Sequence, residues 1–192
     1  MKMLKPLAFL ILVVCTTFVV TECRNIQPND ANLIEQTCKK TPNYAICIKY
    51  LNSDPKARSA DVTGLALIMV NVMKNNANIA VNKIHQLIEK SPPSQKTTLN
   101  SCASKYNAIV VADIPSAIEA LKKGNPKHAD IPSAIEALKK GNPKFAEQGA
   151  NDAAIEANSC ENGFSGKSPL SAENLDMLTA SGITAAIVRN LL

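Results

Sequence analysis

Between Asp61 and Lys90 the apolar residues Val62, Ala66, Met69, Met73, Ala77, Ala80, Ile84 and Leu87 recur every three or four positions. That period marks one buried stripe on a helix, which opens on Asp61 as a capping residue and stops ahead of Ser91-Pro92-Pro93. Further helical stretches run from about Thr97 to Val111, from about Phe145 to Glu161, and onward from Ser168-Pro169. On the last of these, Leu175, Leu178, Gly182 and Ala186 trace a stripe that Ile183 and Ile187 widen. From Asn29 to Asn52 two short helical pieces meet at Thr41-Pro42, and no segment alternates as a strand would. The expected fold is all-α: an up-down-up-down four-helix bundle with an N-terminal helical hairpin.

At the amino terminus, Lys2 and Lys5 precede the apolar run Leu7 to Val20, and Thr21-Glu22-Cys23 leads into polar Arg24-Asn25. This is the layout of a secretory signal peptide, expected over residues 1–23. The run is about 14 residues, short of the roughly 20 needed to span a membrane, so the expected mature chain, 24–192, is one soluble domain without a membrane anchor. Cleavage removes Cys15 and Cys23 and leaves Cys38, Cys47, Cys102 and Cys160. An even count in a secreted chain reads as two disulfides. Three pairings are possible; the short spacing of Cys38 and Cys47 suits a staple across the N-terminal hairpin, which leaves Cys102 for Cys160. Neither spacing resembles a zinc site.

Charge narrows the partners. Loss of Lys2, Lys5 and Glu22 takes 21 basic and 16 acidic residues to 19 and 15, a net charge of +4. The charges are scattered, aromatic residues make up 4% and tryptophan is absent, so the stacking platforms of nucleic-acid binders are missing. A mildly basic surface fits an acidic protein partner or a negatively charged polysaccharide.

The chain also contains a tandem repeat. Ala112 to Lys127 reads ADIPSAIEALKKGNPK, and Ala129 to Lys144 repeats the same sixteen residues at a period of 17. Solenoids need several repeats to build a continuous core, so two identical copies read as a duplication, spanning 112–144, inside one connection. Each copy is expected to hold a short helix. Pro115 or Pro132 stands near its start, Ile118/Leu121 or Ile135/Leu138 on its apolar face, and Gly124 or Gly141 at its end. A bundle built around the shorter connection is expected to extrude one copy or to extend a helix pair, extrusion costing only about 0.6 kcal/mol per doubling of loop length.

Catalysis has little to stand on. His85 and His128 are the only histidines, and no phosphate loop, nucleophile elbow or ligand cluster accompanies them. Asp61, Asp113 and Asp130 read as helix caps or turn residues rather than as a paired carboxylate site. No catalytic residue, metal or cofactor is expected. One local feature does suggest recognition: Asn142-Pro143-Lys144-Phe145 sets a rigid proline, a long cation and an aromatic ring together just outside a helix, after the glycine that ends the preceding one.

These residues converge on a known family. TCKKTPNYAICIKYL (Thr37 to Leu51), ALIMV (Ala66 to Val70), NSCASKYNAIV around Cys102 and Tyr106, the lone Cys160 and the ending AIVRNLL resemble, in order, the plant invertase and pectin methylesterase inhibitors. The resemblance covers the chain from about Asn32 to its end. It implies a four-helix bundle, disulfides joining first to second and third to fourth cysteine, and no catalytic chemistry. Pro143, Lys144 and Phe145 look like the motif of the invertase-directed branch, whose loop between two bundle helices enters the sucrose-binding cleft. The implied partner is an acid invertase of the cell wall or vacuole, and the implied compartment is the apoplast, with the vacuole as the other destination of the secretory route. In the same fold, a pectin methylesterase inhibitor would instead cover the esterase groove with a helical face. A secreted helical lipid carrier is a further reading, disfavoured because such proteins usually carry eight cysteines. Within the family pattern the duplication is the departure: only the second copy leads into Phe145, so inhibition is expected from Pro143, Lys144 and Phe145, with the first copy a bystander.

Overall fold

In a computed structural model the chain is described over residues 30–123 and 142–192. Every regular element among these residues is helical. Helices α1 (Asp30–Cys38) and α2 (Tyr44–Ser53) form the N-terminal hairpin, and a 3-10 turn at Pro55–Ser59 leads to α3 (Val62–Lys90). Next come α4 (Pro93–Ala108), a π turn at Ile109–Asp113 and α5 (Ile114–Lys123). Helices α6 (Pro143–Asn162) and α7 (Ser171–Arg189) complete the bundle. Its four columns are α3, the run α4–π–α5, α6 and α7, and each packs against the next, with α7 closing back onto α3.

Local chemistry sets the joints. Asp61 caps α3 through a hydrogen bond from the Gly64 amide to its Oδ1 (2.8 Å), and Pro93 opens α4 at a position where a missing N–H costs nothing. In the hairpin, Asn43 Oδ1 accepts from the Ile46 amide at 3.1 Å and Thr41 Oγ1 donates to the Cys38 carbonyl at 2.8 Å. Cys38 and Cys47 are bonded across it, and Cys102 to Cys160 across α4 and α6. Pro42 rests near Gly182 of α7, seating the hairpin turn on the bundle.

Large and small residues share the core unequally. Of the stripe expected on α3, Ala66, Met69, Met73, Ala77, Ala80 and Ile84 are buried and Val62 and Leu87 partly so, while Leu65, Ile68 and Val70 are buried outside it. The inward face of α6 is instead Ala146, Gly149, Ala150, Ala153, Ala157 and Cys160, which lets its neighbours approach closely. A Cβ at Gly149 would lie 2.7 Å from the Asp113 carbonyl oxygen, so only glycine fits where α6 meets the π turn.

Three expectations need correction. The stretch expected to end near Val111 does not end there; it passes through the π turn into α5, so residues 112–123 of the first repeat copy continue a bundle column, where the first copy was expected as a bystander to the inhibitory motif. Pro115 supplies the reason: it cannot donate to the Val111 carbonyl and its ring crowds that carbonyl, and the backbone adapts by widening one turn just upstream instead of breaking. Ile114, Ala117, Ala120 and Leu121 are consequently buried, with Ile118 only partly so. Asp113 is no cap, for it lies inside this run, at the end of the π turn. On α7, Leu175 of the expected stripe is 63% exposed, and the buried set includes Asn174, Met177, Ser181, Thr184 and Val188. This helix is packed on two sides, by α3 and α6, so a single stripe does not describe it. His128, Asp130 and the helix expected in the second copy lie outside the described residues.

Candidate functional site

The Pro143-Lys144-Phe145 motif is not a loop beside α6 but its first turn. Asn142 precedes it with extended backbone and caps the helix, its Oδ1 accepting from the Lys144 amide at 3.1 Å while its carbonyl accepts from the Phe145 amide at 3.0 Å. Pro143 sits at the first helical position, where its fixed φ is already helical. The cap thus fixes the backbone of all three residues. Lys144 is exposed and the Phe145 ring is 55% exposed, while the next residue, Ala146, is fully buried. The side chains are presented outward from a backbone anchored inward.

Two further elements frame this turn. Ser116, Glu119, Ala120 and Lys123 of α5 share an open groove with Asn142 and Phe145, so the last turns of α5 border the motif. Glu119 and Lys123 pair with each other along α5, which holds the Glu119 carboxyl below its ordinary range. One turn into α6, Glu147 pairs with Arg189 at the end of α7. The pair of Glu147 and Arg189 carries no local sequence signal; the helix expected in the first copy is present as α5, and what its apolar positions do not indicate is that it lies beside Phe145.

Electrostatically the turn is positive. The N-terminus of α6 contributes the positive end of the helix dipole, and Lys144 adds a full charge. An anionic group on a partner would meet both, and Phe145 would offer apolar contact beside them.

The opposite end of α6 is closed. Tyr106, fully buried on α4, donates from its hydroxyl to Asn174 Oδ1 (2.8 Å), and Asn174 Nδ2 donates to Glu161 Oε2 (2.7 Å). Ser171 Oγ donates to Glu161 Oε1 at 2.6 Å. Burial pushes the Tyr106 phenol up, whereas the hydrogen bonds from Ser171 and then Asn174 hold the Glu161 carboxyl below its usual range. Lys83 of α3 bonds Glu173 at 2.8 Å, tying α3 to the same end of α7. Between the two ends stands Asp113, whose carboxyl is pushed up to about 6 by burial and then by Asp152 and Glu156. Its Oδ2 is buried without a hydrogen-bond partner among the described residues.

His85 is exposed on α3. Among the described residues no set of three or more His, Cys, Asp or Glu side chains could hold a metal ion, and no helix is long and apolar enough to cross a membrane.

Known proteins resemble this chain in sequence and in fold. The sequence pattern of the family described as plant invertase/pectin methylesterase inhibitor matches residues 32–190. The cell wall/vacuolar inhibitor of fructosidase 1 of Arabidopsis thaliana is 39% identical over 159 residues, covering 83% of this chain and 69% of that protein. The cell wall/vacuolar inhibitor of fructosidase 2 of the same plant is 37% identical over 106 residues, 54% of this chain and 58% of that one. Among solved structures, a mutant form of a pectin methylesterase inhibitor from Arabidopsis superposes with a TM-score of 0.62 at 19% identity, over 81% of this chain and 95% of that one.

Proposed function

The chain belongs to the plant invertase and pectin methylesterase inhibitor family, a family of enzyme inhibitors rather than enzymes, and from that premise we propose that it is a secreted inhibitor of acid invertase. The observation that carries the proposal is the capped first turn of α6, with Lys144 and Phe145 exposed on a fixed backbone. The 39% identical relative named as an inhibitor of fructosidase favours invertase as the target.

The mechanism follows from matching chemistry. Acid invertases are retaining glycosidases, which carry two carboxylates flanking the scissile bond. Lys144, reinforced by the positive end of α6, enters the sucrose-binding cleft and meets those carboxylates, and Phe145 fills the space beside them. Pro143 and the Asn142 cap leave little backbone freedom to be lost on binding. Inhibition is reversible and competitive, with no covalent step and no cofactor. Secretion is read from the signal-like residues 1–23, and delivery to the apoplast or the vacuole would both place the protein with such an enzyme.

Purified protein assayed at acidic pH against cell-wall and vacuolar invertases, with sucrose varied, tests the reading. A competitive pattern is expected, and Lys144→Ala with Phe145→Ala should weaken inhibition at least tenfold, about 1.4 kcal/mol, with helix content unchanged. An unaltered inhibition constant refutes the role of the turn. Inhibition of pectin methylesterase with invertase untouched moves the chain to the other branch of the family.

A further inference from the structure

The bundle fills one helical slot with one of two identical segments. Ile114, Ala117, Ala120 and Leu121 of the first copy are buried where α5 meets α3 and α6. Each has an identical counterpart in the second copy, at Ile131, Ala134, Ala137 and Leu138, and Asp113 of the π turn has its counterpart in Asp130. Side chains therefore give the slot no means of distinguishing the copies. Only connectivity can.

With residues 112–123 seated, α4 runs unbroken through the π turn into α5, and the seventeen additional residues fall between α5 and α6. With residues 129–140 seated, those seventeen residues would fall between Val111 and Ala129, and Gly141-Asn142 alone would join the slot to Pro143. The extra connection has the same length either way, so closure entropy does not choose between the arrangements. Helical continuity does, because seating the second copy interrupts the column and requires a second helix start. The first copy holds the slot for that reason and not for any better fit.

We propose that the α5 slot has two interchangeable occupants, so that residues 129–140 replace residues 112–123 when the first copy is made unfit to pack. The duplication then acts as a spare for part of the core. This reading is independent of the target enzyme.

The test is a cycle of core-breaking variants in the mature chain with both disulfides formed, followed by far-UV circular dichroism through thermal unfolding. Ile131→Asp with Leu138→Asp should leave the midpoint within about 1 °C of the parent. Ile114→Asp with Leu121→Asp should lower it yet keep a cooperative transition, because the second copy takes the slot. All four substitutions together should melt at least about 10 °C below the first-copy variant, or fail to fold. The proposal is overturned if the first-copy variant is as unstable or as unfolded as the fourfold one, or if the second-copy variant is destabilised on its own.

Discussion

The two ends of α6 are built from opposite materials. At its C-terminal end Cys160 is bonded to Cys102, and Glu161 sits in a chain of hydrogen bonds through Asn174 to Tyr106, a hydroxyl with no access to water. At its N-terminal end a side-chain cap and one ion pair hold the backbone, and Lys144 and Phe145 face outward. Rigidity enters the recognition turn from behind, through the locked end and the alanine face, so the exposed residues are released from packing duty. An inhibitor profits from that division, since a surface that must fit a cleft is best held by contacts that never touch the partner.

The sharpest way to break the contrast is to unlock the closed end. Replacing Cys102 and Cys160 together by alanine should cost about 4 kcal/mol in urea unfolding, against about 2 to 3 kcal/mol for the Cys38 and Cys47 pair, because the loop closed is longer. Equal losses would show that the first staple matters as much as the second. Next in size, Tyr106→Phe strands the buried Asn174 Oδ1 and should cost about 1 to 3 kcal/mol, read as a lower urea midpoint with an unchanged slope; no change would mean that Asn174 finds another donor.

A pH comparison probes the middle of the helix. The Asp113 carboxyl is raised to about 6 in the fold from an ordinary 3.8. The stability it contributes is therefore full below the ordinary value and lost as pH rises through about 6. Thermal midpoints at pH 5 and pH 7.5 should show that loss in the parent and a smaller gap in Asp113→Asn. Glu161, shifted the other way, keeps its contribution above its ordinary 4.5 and does not confuse this window. A gap of the same size in the variant would place the pH dependence elsewhere. Smallest of all, Lys144→Ala with Phe145→Ala should change the unfolding free energy from urea titration by less than about 0.5 kcal/mol, and a larger loss would mean that the turn carries structural load after all.

Much of this division was legible in the sequence, though not at the joints. The stripe of α3 was readable because a long helix with one buried face repeats its signal many times over. Helix α6 was located but not its face, because alanine and glycine mark close packing only when the opposing backbone is known, as at Gly149 and the Asp113 carbonyl. Pro115 misled in one direction, reading as a helix start where the chain makes a π turn and continues. Pro143 misled in the other, since a proline outside a helix and a proline at its first position are the same residue and only the Asn142 cap distinguishes them. The network of Tyr106, Asn174 and Glu161 joins residues 68 and 13 positions apart, and no local pattern announces it.

The π turn has a consequence for how such chains accept change. Because the glycine of α6 meets the Asp113 carbonyl too closely for either helix to slide, the axial register between the two columns is set well before the chain reaches Lys123. Lys123 and Asn142 both line the groove beside Phe145, at the ends of the described columns. A bulky group attached at either of these two residues would therefore start beside the recognition turn, on a frame whose register is already set.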